Sequence, residues 1–165
     1  MFTFRPLAAH DFELLVLWRN HPHVAEWWDG PTDLAGITAQ YTPRLSPLDP
    51  VRMFIVERDG GPFGRIQYER TKDWLPGYDA DVANIDFLIG DAGDIGRGHG
   101  PQMIAQFIQD MVLEDGRFSR VVADPAIENQ RSIRALEKAG FRKGETRLLE
   151  GQLHQIMEWS IEDAD

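Results

Sequence analysis

The segment Gly96-Arg97-Gly98-His99-Gly100 lies between an apolar run, Val82 to Ile89, and the most regular amphipathic stretch of the chain. In that stretch Ile104, Phe107, Ile108, Met111 and Val112 repeat at helical spacing, which predicts a helix with one continuous apolar face. A strand that turns through glycines into a helix brings unpaired N–H groups and a positive dipole end to one point. That is an anion site suited to a pyrophosphate. Arg97 adds a charged donor, and His99 sits inside the loop. The competing reading is a flexible glycine-rich turn. Two familiar phosphate loops are excluded: the spacing is not G-x-G-x-x-G, and no Lys-Ser or Lys-Thr pair follows.

The remaining pattern predicts a sheet covered by helices, not a repeated doubly wound unit. Short strands are expected at Phe2–Arg5, Met53–Glu57, Phe63–Glu69, Val82–Ile89 and Arg120–Ala123, with two more near residues 141–149 and 153–161. Asp59-Gly60-Gly61 reads as a hairpin turn, and Glu150-Gly151 as a second turn. Helices are expected over Asp11–Trp18, after a cap at Thr32 or Asp33, and over Asn129–Ala139 with Gly140 as the stop. With 165 residues and no linker or repeat, one domain over 1–165 is expected, burying about 70% of its unfolded surface.

Charge narrows the partners. Seventeen basic against 27 acidic residues give −10, which argues against nucleic acid and an anionic membrane and favours a cationic partner. Residues 73 to 94 hold six aspartates (73, 79, 81, 86, 91 and 94) and no lysine or arginine. Such a stretch focuses a field on a polycation; the plainer reading is a solvated acidic loop. No cysteine is present, so thiolate zinc sites and a cysteine nucleophile are excluded, and the histidines lack metal-ligand spacing with carboxylates. No metal is expected. The N-terminus lacks the pattern of a secretion signal, and cytoplasmic placement is expected.

About thirty residues after the glycine loop comes Asp124-Pro125, then Asn129, Ile133 and Glu137-Lys138-Ala139-Gly140-Phe141. The combination of strand, G-x-G-x-G, helix, strand, D-P-x-x-x-N-x-x-x-I and E-K-A-G-F resembles the GNAT superfamily of acyl-CoA-dependent N-acetyltransferases. Within it the chain is most similar to the aminoglycoside 6′-N-acetyltransferases. Glu26-Trp27-Trp28, Tyr41-x-Pro43, Gly60-x-Pro62-x-Gly64, Ile85-Asp86 and Glu150-Gly151 match as well, so the resemblance covers roughly residues 4 to 160.

The resemblance implies an α/β (α+β) fold with a mixed, mostly antiparallel twisted sheet, splayed central strands and flanking helices. It implies acetyl-CoA as co-substrate. The backbone of Phe87, Leu88 and Ile89 would pair with the pantetheine arm. The loop Gly96, Arg97, Gly98, His99 and Gly100 would hold the pyrophosphate, with Asn129 and Lys138 also on the cofactor. Asp86 inherits the general-base role, because an ammonium cannot attack a thioester until it loses a proton. The residues themselves leave a surface aspartate on an edge strand as the alternative, although Asp is poor strand chemistry. Asp79, Asp86, Asp124 and Glu150 match acidic contacts to a cationic aminoglycoside, and Trp27 or Trp28 an aromatic wall; a tryptophan pair is equally core material. The expected activity is antibiotic resistance by 6′-N-acetylation, in a monomer or homodimer. Alternatives are another amine, such as a siderophore-type lysine or hydroxylysine chain or a protein N-terminus, or a CoA-binding module without turnover.

Four departures from the family pattern stand out. Ile95 and Pro101 replace residues usual in the loop. Leu136 takes the place of a tyrosine that protonates the departing thiolate, so the thiolate leaves unaided, water assists, or Tyr68 or Tyr78 substitutes. Asp73-Trp74-Leu75-Pro76-Gly77 replaces a more acidic stretch before Asp79.

Overall fold

The computed structural model describes residues 1–163, with the side chain of Asp73 outside the description. Seven strands form one sheet: β1 Phe2–Pro6, β2 Arg52–Arg58, β3 Gly61–Arg70, β4 Val82–Ile89, β5 Arg120–Ala123, β6 Arg142–Leu149 and β7 Gln152–Ser160. Their order is β1-β2-β3-β4-β5-β7-β6. Pairing is antiparallel for β1/β2, β5/β7 and β6/β7 and parallel for β4/β5. The helices are α1 Phe12–Arg19, α2 Pro22–Ala25, α3 Leu34–Tyr41, α4 His99–Phe107 and α5 Gln130–Lys138. The sheet with its helices is the α/β class expected from the sequence.

The chain divides into two compact units, residues 1–67 with 87–95, and residues 68–86 with 96–165. In the first, Phe12, Leu15 and Trp18 of α1 and Ile37 and Tyr41 of α3 pack on Met53 and Ile55 of β2. Each such side chain contributes about 1.5–3 kcal/mol by leaving water. Asp33 caps α3 by accepting a hydrogen bond from the Gly36 amide at 2.8 Å. Asp59 and Gly60 take φ of 53° and 80°, the left-handed pair that a two-residue hairpin needs. The second unit has its own cluster of Leu75, Val82, Val122 and Ile156. Tyr68 packs there between Phe107 and Phe118, at 6.0 and 5.9 Å between ring centroids.

Two features differ from the sequence reading. The short helix α2 is not legible in the sequence, because four residues opened by Pro22 carry no periodicity. The stripe Ile104–Val112 is also not one α-helix: α4 ends at Phe107 and the backbone continues as a π-helical segment, Ile108–Leu113. Ile108 and Val112 remain buried, so the apolar face survives the change of pitch.

One ion pair ties β1 to the turn before α1. Asp11 is 2% exposed and accepts from Arg5 Nη1 and Nη2 at 2.8 and 2.7 Å and from the Ala8 amide at 2.8 Å. Burial pushes the Asp11 carboxyl up, but these bonds outweigh it and hold it below its ordinary 3.8. A depressed carboxyl stabilises the fold above its unfolded value, and that stability is lost as pH falls through the folded one. Arg5→Met should therefore cost about 2 kcal/mol in urea unfolding at neutral pH, by stranding a buried carboxylate. The gap from wild type should shrink once the pH drops below the folded value; a gap unchanged at low pH refutes the assignment.

Candidate active site

The pairing of β4 with β5 is short: Val82↔Arg120, Ala83↔Val121 and Asn84↔Val122. β5 ends at Ala123 while β4 continues to Ile89. Asp86 lies two residues past the last paired residue of β4, and Asp124 directly follows the end of β5. Side chains repeat every second residue, so Asp86 shares a strand face with Asn84. The Asn84 amide donates to Asp124 Oδ1 at 3.0 Å, which brings Asp124 toward that face. β4 lies between β3 and β5, its pairing with β5 stops at Asn84, and Asp86 beyond it is half-buried.

Asp124 is gripped further. Trp74 Nε1 donates to Oδ2 at 3.2 Å, and His154 Nδ1 donates to the Asp124 carbonyl oxygen at 2.6 Å while lying 3.7 Å from Oδ2. Its bonded partners are Asn84, Trp74 and His154, none of them lysine or arginine. The carboxylate is fixed in place while its charge stays uncancelled by a permanent cation. Trp74 remains 44% exposed beside it.

The loop carrying Trp74 and Asp79 is stapled. Leu75 is fully buried. Arg147 Nη1 donates to the Pro76 carbonyl at 2.9 Å, and its guanidinium lies 5.3 Å from the Tyr78 ring centroid. Tyr78 donates to Glu158 at 3.1 Å. Burial and the Glu158 charge push the Tyr78 phenol up to about 12. Tyr68 donates to Asp115 at 2.7 Å. Both candidate replacements for the missing tyrosine acid thus already donate to carboxylates, and Leu136 is fully buried.

The glycine loop has the expected backbone. Gly96 and Gly98 have φ of 79° and 80°, and a Cβ built on either meets nothing within 4 Å. Gly98 is the N-cap of α4 and, being glycine, has no side chain of its own to cap it. Pro101 lacks an N–H, so it adds no orphan donor in the first turn. Arg97 is exposed, and His99 is the first residue of α4. Asn129 caps α5 by accepting from the Ser132 amide at 3.2 Å, and Lys138 is its exposed last residue.

The other expected residues are spread more widely. Asp79 is exposed, and Glu150 lies at the β6–β7 tip with φ of 49°. Of the other aspartates in 73–94, Asp81 accepts from Ser119 at 2.6 Å, which holds its carboxyl below the ordinary value. Asp91 accepts from the Gly93 amide, so these two also serve local structure. In the first unit Trp27 is half-buried, and the Trp28 ring lies 4.5 Å from the Arg65 guanidinium and 5.8 Å from that of Arg19. Trp28 therefore already stacks with cations of this chain. Leu88 is buried, and its carbonyl lies where a Cβ on Gly64 would stand, at 2.2 Å. Phe87 and Ile89 are half-buried, and the Ile89 carbonyl accepts from His23.

Sequence reasoning missed Asn84, Trp74 and His154. A buried asparagine inside Val82–Ile89 is the available signal, since Asn is as poor a strand former as Asp86. Among the described residues no group of three or more His, Asp or Glu is arranged to hold a metal ion. No helix there is long and apolar enough to cross a membrane.

The profile of the acetyltransferase (GNAT) domain matches residues 8–148. An aminoglycoside N(6′)-acetyltransferase type 1 from Klebsiella pneumoniae is 32% identical over 150 residues, 86% of this chain and 74% of that protein. The lysine N-acyltransferase MbtK of Mycobacterium tuberculosis is 26% identical over 145 residues, 86% of this chain and 69% of that one. Among solved structures, AAC(6′)-Ib in complex with parmomycin and acetyl-CoA matches with a TM-score of 0.91 at 28% identity. That match covers 99% of this chain and 95% of the other.

Proposed function

The chain belongs to the acetyltransferase (GNAT) family, and from that premise we propose that it transfers an acetyl group from acetyl-CoA to a primary amine of a cationic small molecule. The acceptor we assign is the 6′-amine of an aminoglycoside, which would make the protein a cytoplasmic resistance enzyme acting as one domain. The observation that carries this reading is the fork, where the β4–β5 ladder ends at Asn84↔Val122, short of both Asp86 and Asp124.

Acetyl-CoA supplies the activated acyl group. The chain's residues suit it: the glycine turn leading into α4, with open space at Gly96 and Gly98, would accommodate a pyrophosphate, which is small and doubly anionic. Arg97 and His99 flank that turn, and Asn129 and Lys138 are assigned to the same co-substrate. The backbone of Phe87, Leu88 and Ile89 is assigned to the pantetheine arm. His23 already uses the Ile89 carbonyl, which leaves the N–H of that residue as its contribution.

On the acceptor side, Asp124 draws the ammonium in and holds it, since its own partners fix its position without a permanent countercharge. Asp86 takes the proton, directly or through water, and so makes the amine nucleophilic. A backbone N–H of β4 past the fork donates to the carbonyl oxygen as negative charge develops there. For the departing thiolate, water is the proton source. Leu136 has no proton to give, and a Tyr78 phenol raised to about 12 gives its proton up less readily than an ordinary tyrosine. Asp79, Glu150, Trp27 and Trp28 are assigned to the outer acceptor contacts. Trp28 acts as a wall already braced by Arg65 rather than as an empty cation platform.

The direct test is acetyl-CoA turnover, followed by free thiol release, against aminoglycosides, lysine, hydroxylysine and simple amines. Aminoglycosides should turn over with the highest kcat/KM. Preference for the lysine amines would favour the second reading that the MbtK likeness supports, and thiol release with no amine would defeat both. Asp86→Asn should lower kcat by about 10²–10⁴-fold while CoA affinity holds; near-native kcat at saturating amine would leave Asp86 as a binding residue only. The KM for the amine should rise with ionic strength, because long-range attraction is screened beyond about 8–10 Å near physiological salt. Asp124→Asn should flatten that rise. A salt-independent KM in the wild type would assign the acidic stretch to solvation.

A further inference from the structure

We propose that His21 and His23 are positioning residues for the co-substrate: they lock the outgoing end of β4, and through it the backbone that receives the pantetheine arm. The proposal rests on the acetyl-CoA reading above. The starting point is Gly90, the residue directly after β4. A Cβ built there would stand 2.1 Å from Trp18 Nε1, so the buried indole forbids any side chain at this position. Glycine solves the steric problem and creates another. It is the residue with the widest choice of backbone angles, placed where the strand should be stiff.

Three hydrogen bonds remove that freedom. The Gly90 amide donates to the Phe63 carbonyl of β3 at 2.9 Å. His23 Nε2 donates to the Ile89 carbonyl at 2.8 Å, and His21 Nδ1 to the Gly90 carbonyl at 2.7 Å. Carbonyls only accept, so each of these ring nitrogens carries the hydrogen. The two carbonyls belong to the peptide planes on either side of the Gly90 Cα. Holding both planes fixes φ and ψ of that residue, which its missing side chain cannot do. The donors come from 66 and 69 residues away in sequence, and both belong to the turn into α2: His21 is its N-cap and His23 lies within it. That short helix thereby carries two imidazoles, 5.7 Å apart, to consecutive carbonyls. A strand end held this way is organised before the ligand arrives, so less conformational freedom is lost on binding.

The test exploits which nitrogen donates. An asparagine amide nitrogen reproduces the position of His Nδ1, and a glutamine amide nitrogen that of Nε2. His21→Phe and His23→Phe should each raise the Kd for coenzyme A by calorimetry, and the KM for acetyl-CoA, about five- to tenfold. The kcat and the KM for the amine should stay within about twofold. His21→Asn and His23→Gln should restore CoA affinity, whereas the exchanged pair His21→Gln and His23→Asn should not. If the phenylalanine variants do not fold, the four amide variants carry the comparison. Equal CoA affinity across matched and exchanged amides overturns the proposal, as does a parallel loss of kcat and both KM values. Failure of the wild-type chain to bind CoA overturns the acetyl-CoA reading, and the proposal with it; wild-type binding that every variant retains overturns the proposal alone.

Discussion

Three residue pairs join β4 to β5, and the proposed chemistry depends on that pairing stopping where it does. Parallel strands normally continue side by side, each satisfying the other's backbone groups. Here β5 ends at Ala123, and β4 runs five residues beyond Asn84. In the proposed reading the backbone of Phe87, Leu88 and Ile89 pairs with an extended ligand as a neighbouring strand would, apart from the Ile89 carbonyl that His23 holds. The same ending leaves Asp86 and Asp124 beyond the last pair of the ladder. Asn84, the last residue paired with β5, holds both arrangements: its backbone belongs to the ladder and its side chain secures Asp124.

Charge in this molecule is handled in two ways. Asp11 is buried and met by a two-pronged guanidinium, which makes it structural. Asp124 is held by an amide, an indole and an imidazole, which fix direction without supplying a permanent positive charge. A carboxylate arranged in the second way retains its attraction for a cation that comes from outside. The contrast separates the aspartates better than their number does, since Asp81 and Asp91 also take part in local hydrogen bonds.

Local chemistry makes much of this legible in the sequence. The strand Val82–Ile89 and the strand Arg120–Ala123 have the bounds expected from their apolar runs, and Asp33, Asp59-Gly60 and Glu150-Gly151 act through turn chemistry that the sequence displays. Gly96 and Gly98 adopt the left-handed conformation, in keeping with a tight glycine turn. What stays hidden depends on contacts between distant segments. Nothing local marks Trp74 as a donor to Asp124, 50 residues on, or His154 as a neighbour of its carbonyl. The spacing of His21 and His23 speaks only against metal binding, because partners that are backbone carbonyls leave no trace in sequence. Trp28 illustrates the same limit: its pairing with Arg65 needs β3 folded against the α2–α3 segment.

The stapling of residues 74–78 by Arg147, Glu158 and Asp124 has a consequence for how such a protein can diversify. The proposed grip on the co-substrate's pyrophosphate uses main-chain groups of a glycine turn, which tolerate little change. The proposed acceptor contact Asp79 follows a loop secured from outside, its Pro76 carbonyl by Arg147 of β6 and its Tyr78 hydroxyl by Glu158 of β7. Substitutions at an exposed point such as Asp79 can therefore accumulate without loosening the loop, whereas Trp74 also holds Asp124. Acceptor preference becomes the part of the molecule most open to drift under selection, while the reaction itself is inherited unchanged.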